Sequence, residues 1–207
     1  MKQYNGEPLK IESCWAKDDC PSALDNFERL QKIIQDVVEE SNFSAERKEM
    51  LQGKIKPHQV FKICLAGCPN CCSQPQIKDF GLYKVVYPEV KEQLCTLCNK
   101  CIKACREKAI SPGGKSVKIN SENCIGCGDC IRVCPVNAIT RGKEAWRIIA
   151  GGKLGRHPRL AVDVAEIADE EEVKQYLQDA LKVVLEAPGS HVRFGDLIEK
   201  YLHKIEG

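Results

Sequence analysis

The 207-residue sequence predicts an α+β fold in which a cysteine-dense module interrupts a body of strands and helices. Three observations carry that reading. Strand-like and helix-like patterns stand on both sides of residues 91–142. Eight of the fourteen cysteines fall inside that segment. The segment also repeats itself: CTLCNKCIKACREKAI (95–110) aligns with CIGCGDCIRVCPVNAI (124–139) at an offset of 29 residues. The expected division is a discontinuous domain, 1–90 with 143–207, and an inserted domain, 91–142.

The elements follow in order. Residues before Ser22 read as an irregular segment carrying Cys14 and Cys20. Phe27, Leu30, Ile34, Val37 and Val38 recur at three- and four-residue steps, which predicts one buried helix face. Ser22 with Asp25 three residues later suits that helix's start. Val60–Leu65 reads as a strand with Phe61, Ile63 and Leu65 on one face, ending in the turn-forming run Ala66-Gly67-Cys68-Pro69-Asn70. A second strand near Leu82–Tyr87 is expected to stop at Pro88. Inside the insert, each repeat closes on a short apolar turn, and Gly113-Gly114 supplies a hairpin loop. Trp146–Ala150 predicts a strand running into the glycine loop GGKLGRHPR (151–159), and Leu160–Val164 predicts another. Asp169 caps an amphipathic helix through Val173, Tyr176, Leu177, Ala180, Leu181, Val184 and Leu185, ended by Pro188-Gly189. Phe194, Leu197, Ile198, Tyr201, Leu202 and Ile205 define a last helix.

Composition narrows the function classes. Apolar residues make up 43% and charged residues 29%, so a packed core is expected. A net charge of +2 gives no long-range field to gather nucleic acid or an anionic membrane. No apolar run is long enough to span a bilayer, and MKQYNGEPLKIESC lacks the apolar stretch of a signal peptide. A cytoplasmic location is the expectation. Disulfide-rich chains are short and secreted, whereas clustered cysteines in a reducing compartment bind metal.

The repeat specifies which metal group. A cubane 4Fe-4S cluster needs four thiolates converging on its corners. C-x2-C-x2-C lets one tight loop supply three, and in two-cluster bacterial ferredoxins the fourth comes from the other repeat. Cys95, Cys98, Cys101 and Cys134 are therefore expected to hold one cluster, and Cys124, Cys127, Cys130 and Cys105 the other. Cys134-Pro135 matches the usual closing pair, whereas Arg106 follows Cys105. Structural zinc sites also use C-x2-C pairs, but not three cysteines at this spacing with a fourth three residues on, twice over.

Six cysteines lie outside the repeat: Cys14, Cys20, Cys64, Cys68, Cys71 and Cys72. Cys14 and Cys20 form C-x5-C, and Cys68 and Cys72 form C-x3-C in the context Gly67-Cys68-Pro69-Asn70-Cys71-Cys72. Spacing alone leaves a shifted set open, since Cys64 and Cys68 are also C-x3-C. In these motifs, in Asp79-Phe80-Gly81-Leu82, in GGKLGRHPRLA (151–161) and in HVRFGDLIE (191–199), the sequence resembles the siroheme-dependent nitrite and sulfite reductase family. The likeness runs from Cys14 to about Ile205 and includes the dissimilatory branch, in which a ferredoxin module is inserted in the siroheme domain.

The resemblance implies a half-domain with a mixed sheet and flanking helices. It implies a third 4Fe-4S cluster on Cys14, Cys20, Cys68 and Cys72, with the Cys72 thiolate bridging to the iron of siroheme. Cys64 and Cys71 are then small, semi-buried hydrophobes. Siroheme carries eight carboxylates, and Gly151, Gly152, Lys153, Gly155, Arg156, His157 and Arg159 are the residues expected to cradle them. Cys72, Lys153 and Arg156 are the expected catalytic residues. The implied reaction is six-electron reduction of sulfite to sulfide, with electrons entering at the ferredoxin clusters from an external low-potential donor such as a ferredoxin. Nitrite is the alternative substrate, and a non-catalytic electron-transfer or siroheme-binding protein the alternative role. Full-length members hold two copies of this half; the chain matches the later one, so self-pairing into a homo-oligomer is one expectation and a compact monomer the other. Lys54, Lys56, Lys62 and Arg47 are candidates to replace the missing anion-binding cations.

Overall fold

Phe61, Ile63 and Leu65 alternate with Lys62, Cys64 and Ala66, and the strand they form buries the first three side chains in the main core. The computed structural model describes residues 6–17, 20–187, 189 and 192–206. Its main sheet has five strands: β1 (Leu9–Ser13), β2 (Phe61–Ala66), β3 (Phe80–Val90), β6 (Ile139–Ala150) and β7 (Val162–Ala168), in that spatial order. A separate hairpin pairs β4 (Ile110–Pro112) with β5 (Val117–Ile119). β1, β2 and β3 run parallel, whereas β6 is antiparallel to β3 and β7 to β6, so the sheet is mixed.

Helices α1 (Glu28–Glu40), α2 (Phe43–Leu51), α5 (Glu170–Leu185) and α6 (Ile198–Glu206) pack a single core against Phe61, Ile63, Leu65, Phe80, Leu82 and Ile148. An aromatic row runs through it, Phe43–Phe61–Phe194–Tyr201, with ring centroids 5.8, 5.3 and 5.2 Å apart. Such pairs each contribute about 0.5–1.5 kcal/mol beyond the area they bury. α5 starts on a capping box: Asp169 Oδ1 accepts from Glu172 N at 2.9 Å, and Glu172 Oε2 accepts from Asp169 N at 2.8 Å.

The chain leaves this body at Val90 and returns at Ile139, residues that pair across β3 and β6. Between them lie α3 (Lys100–Ala104), the β4–β5 hairpin and α4 (Asp129–Arg132), with a small core of Cys101, Ile110, Val117, Cys130 and Ile139. β6 crosses residue 142 unbroken. Among the described residues no helix is long and apolar enough to cross a membrane.

The structure corrects several expectations. Residues 9–13 are an edge strand, not irregular; Leu9 and Ile11 point inward and Lys10 pairs with Glu12. α1 begins at Glu28, not at Ser22, because Asp25 Oδ1 and Asn26 Oδ1 accept from the Phe27 and Glu28 amides and hold Phe27 at φ 49°. α2 has no counterpart in the sequence reading. β3 passes through Pro88, which has no N–H to donate and sits where the β3–β6 register shifts. β6 begins seven residues earlier than expected. β7 begins at Val162 rather than Leu160, which is exposed. α5 ends at Leu185 with Glu186 as its C-cap; Pro188, the expected stop, lies outside the described residues. α6 takes in Ile198 to Glu206, and Phe194 belongs to a 3-10 turn before it.

Candidate redox centres

The loops after β1 and β2 converge because the two strands are parallel neighbours. Cys14 follows β1 directly, and its amide donates to Leu65 O at 3.0 Å. Gly67 follows β2, and its amide points at Cys14 Sγ, 3.3 Å away. A Cβ at Gly67 would stand 2.5 Å from Ala16 Cβ and 2.6 Å from Asp25 O, so only glycine lets the two loops close. The result is a cavity of about 320 Å³ whose lining includes Cys14, Trp15, Cys20, Cys68, Cys71 and Cys72. All four predicted ligands are there, together with Cys71. Cys72 is exposed at the rim and Cys68 is buried. Burial raises the thiol pKa of Cys68, and it pushes that of Cys71 up to about 12. Cys71 has φ 50° and its amide donates to Cys68 O. Cys64 is apart: it is fully buried, bonded to Ser73 O at 3.2 Å, and does not line the cavity.

The inserted segment holds two further cavities. One is lined by Cys95, Cys98, Cys101 and Cys134, the other by Cys105, Cys124, Cys127 and Cys130. Each cavity is therefore lined by three thiols from one repeat and a fourth from the other. The repeat extends to the backbone. Leu97 and Asn99 have φ of 53° and 59°, and their counterparts 29 residues on, Gly126 and Gly128, have 69° and 72°. Lys108 and Asn137 form a third such pair, at 53° and 51°. Ala109 N lies 3.3 Å from Cys105 Sγ and Ala138 N 3.2 Å from Cys134 Sγ, again one repeat apart. Left-handed turns of this kind aim successive N–H groups to one side, a concavity typical of anion and iron–sulfur sites. The Lys100 amide lowers the Cys98 thiol pKa, while burial and neighbouring thiols push Cys130 up to about 12.

The second repeat seats on the body. Val86 N donates to Gly126 O at 2.9 Å, and a Cβ on Gly128 would stand 2.7 Å from Leu24 Cδ2. Leu24 N in turn donates to Gly67 O at 2.8 Å, and Leu24, Cys68, Val86 and Ile131 share one apolar cluster. A single residue thus touches both the Cys68 loop and the Cys127 loop.

The glycine loop packs on residues 76–79. Lys153 and Arg159 exchange backbone hydrogen bonds of 3.0 Å, and Gly151 N donates to Asp79 O. Gly152 is a glycine because Gln76 O would stand 2.4 Å from a Cβ there. Lys153 is ion-paired with Asp196, Arg159 Nη1 donates to Gly195 O at 3.3 Å, and Arg156 and His157 are exposed. Asp79 Oδ2 accepts from the Lys62 amide, and Ala161 N donates to Gln76 O, so the loop packs on the segment between β2 and β3 that also carries Cys68 and Cys72. None of its residues lines the cysteine cavity. Of the substitute cations, Lys54 and Lys56 are exposed and Lys62 is half-buried. Arg47 is 2% exposed within the helical layer, its Nη2 on Val192 O at 3.4 Å, out of reach of any dissolved anion.

Known proteins place this arrangement. The family described as "Nitrite and sulphite reductase 4Fe-4S domain" matches residues 7–201. Coenzyme F420-dependent sulfite reductase of Methanocaldococcus jannaschii is 42% identical over 144 residues, 70% of this chain and 21% of that protein. An uncharacterised protein of the same organism is 30% identical over 156 residues, 74% of this chain and 52% of the other. In fold, the crystal structure of dissimilatory sulfite reductase I superposes with a TM-score of 0.63 at 16% identity, covering 94% of this chain and 50% of that one. The chain thus spans about a fifth and about half of the two curated relatives.

Proposed function

The chain belongs to the nitrite and sulphite reductase 4Fe-4S family, and on that premise we propose that it is the iron–sulfur-bearing half of a sulfite-reducing unit. The observation that supports this most is the presence of three thiol-lined cavities, two with four cysteines and one with five, with the Cys105/Cys124/Cys127/Cys130 set joined to the Cys68 loop through Leu24 and Val86. The thiol sets suit cubane clusters by their chemistry: twelve cysteines in three groups of four, with inward-turned amides beside Cys105 and Cys134.

Cys95, Cys98, Cys101 and Cys134 would hold one cluster; Cys105, Cys124, Cys127 and Cys130 a second; Cys14, Cys20, Cys68 and Cys72 a third. When bound, the clusters would supply reversible one-electron storage, and a siroheme held at Cys72 would supply a redox-active iron for the reduction of sulfite. Cys72 suits that attachment because it is the exposed thiol of its set. Ala16, Ala66 and Gly67, all small, line the same cavity and leave room for a group at its thiols. Arg156 and His157, exposed on the glycine loop, are available to grip carboxylates or an incoming anion. Lys153 is committed to Asp196, so its role is to fix the loop rather than to hold substrate. Sulfite is preferred to nitrite because the 42%-identical relative carries sulfite in its name.

That no glycine-loop residue lines the cysteine cavity favours a second reading, an iron–sulfur protein that passes electrons on without turning over sulfite itself. One preparation separates the two. Anaerobically purified protein from a siroheme-competent host is assayed for iron, visible absorption and viologen-driven sulfide formation. Siroheme bands, about 13 irons per chain and sulfide release establish the reductase; about 12 irons without haem bands leave the electron carrier.

A further inference from the structure

We infer that the outer face of the first repeat is the docking surface for an acidic one-electron carrier protein. The inference rests on the reading that Cys95, Cys98, Cys101 and Cys134 hold a redox cluster. Residues 91–120 carry seven cations against two carboxylates, Glu92 and Glu107, although the whole chain has 31 basic and 29 acidic residues. The net charge of +2 therefore hides a local one. Lys100, Lys103, Arg106 and Lys108 lie on and just after α3, and Lys115 and Lys118 on the β4–β5 hairpin; all are exposed. None of the seven cations takes part in an ion pair among the described residues. In the second repeat, by contrast, Asp129 and Arg132 pair with each other.

Position agrees with charge. The second repeat is seated on the body through Gly126 and Gly128, whereas α3 packs on α4 and β4. The first-repeat cavity therefore faces outward. Its thiol Cys98 is exposed, Lys100 lines it, and Leu97 and Val136 beside it are 41% and 39% exposed. A small apolar centre over a redox site, with Lys100 in its lining and further unpaired cations along α3 and the β4–β5 hairpin, suits a partner with a carboxylate rim and a redox group near its own surface. As that partner docks it is oxidised by one electron and the site gains one; no bond is made or broken.

The test titrates the iron-replete protein with a reduced bacterial ferredoxin of net negative charge, by anaerobic calorimetry without sulfite. Raising ionic strength from about 20 to about 200 mM should weaken binding roughly tenfold, because exposed charges are screened over the Debye length. Lys103→Glu/Lys118→Glu should lose roughly tenfold in affinity at low salt, and Lys103→Gln/Lys118→Gln a smaller part of that. Lys32→Glu/Lys182→Glu, which makes the same charge change on the helices of the body, should bind as the parent does. Iron content and visible spectrum of each variant check that the clusters remain. Salt-independent binding, equal loss from both reversals, or tighter binding of a short DNA duplex than of the ferredoxin would overturn the inference. Because sulfite is absent from the titration, a failure of sulfite turnover would sink the reductase reading and leave this result standing.

Discussion

The amide of Val86 donates to the carbonyl of Gly126 at 2.9 Å, and this bond ties the second cysteine repeat to the middle of the body's sheet. Gly126 takes φ 69°, and a Cβ there would stand 2.9 Å from Val85 Cβ and 3.2 Å from Val86 N. Gly126→Ala therefore adds a left-handed strain of about 1–2 kcal/mol and pushes the loop off the strand. The expected outcome is a melting temperature lower by several degrees, with faster hydrogen exchange at the Val86 amide. Leu97→Gly, at the equivalent position of the first repeat, should raise it, because Leu97 bears the same strain at φ 53°.

The fourteen cysteines separate into ligands and bystanders by variant. Cys68→Ser should remove about four irons per chain and leave about eight in the insert. Cys64→Ala should leave iron content unchanged, because Cys64 faces Ser73 and not the cavity; its cost is packing, on the order of 1 kcal/mol. Cys71 does line the cavity, so Cys71→Ala tests its bystander reading directly. Unchanged iron content and electron paramagnetic resonance signals keep Cys72 as the ligand, and loss of the body's cluster alone transfers that role to Cys71.

The cysteine-dense segment was the most legible part of the sequence because its grouping of thiols is written in cysteine spacing, and the placement of Cys105 and Cys134 in each other's cavity follows from the repeat. Two of the parts that were missed, α2 and the start of β6, share one physical cause: solvated or charged residues interrupt the apolar period. α2 buries Phe43, Arg47 and Leu51 on one face, and an arginine at the middle position hides the helix. β6 is half solvated between Thr140 and Glu144, so only its apolar end from Trp146 onward reads as a strand. β1 shows Leu9 and Ile11 in alternation, but five residues at a sheet edge make a weak signal. The basic glycine loop has structural demands of its own: Gly151 and Gly152 are required by contacts with Ile198, Gln76 and Lys78, a demand that reads in sequence just like a ligand cradle.

Arg47 offers a test of buried charge. It is 2% exposed, its Nε and Nη1 have no hydrogen-bond partner among the described residues, and burial lowers its pKa. A guanidinium in that setting costs more than it returns. Arg47→Met keeps the length of the side chain and should stabilise the fold, by about 1–2 kcal/mol, read as a higher melting temperature. Iron content should not change, since Arg47 touches none of the thiol cavities.

Asp79 should leave its mark on the pH dependence of stability. It is buried beneath the glycine loop, where desolvation raises its carboxyl to about 6 although the Lys62 amide, Arg193 and Lys62 favour the charged form. The folded pKa thus lies above the unfolded value of about 3.9. Between those values the native state holds a proton that the unfolded chain has released. Stability from this group is therefore present at pH 4 and lost as pH rises through 6, by on the order of 3 kcal/mol. Asp79→Asn keeps an oxygen for the Lys62 amide and removes the titration. Its unfolding free energy, measured by denaturant titration at several pH values, should lack this decline between pH 4 and 6 and exceed the parent's at pH 7. Parallel pH profiles for the two proteins would mean that Asp79 is ionised throughout, with its charge fully compensated by Arg193 and Lys62.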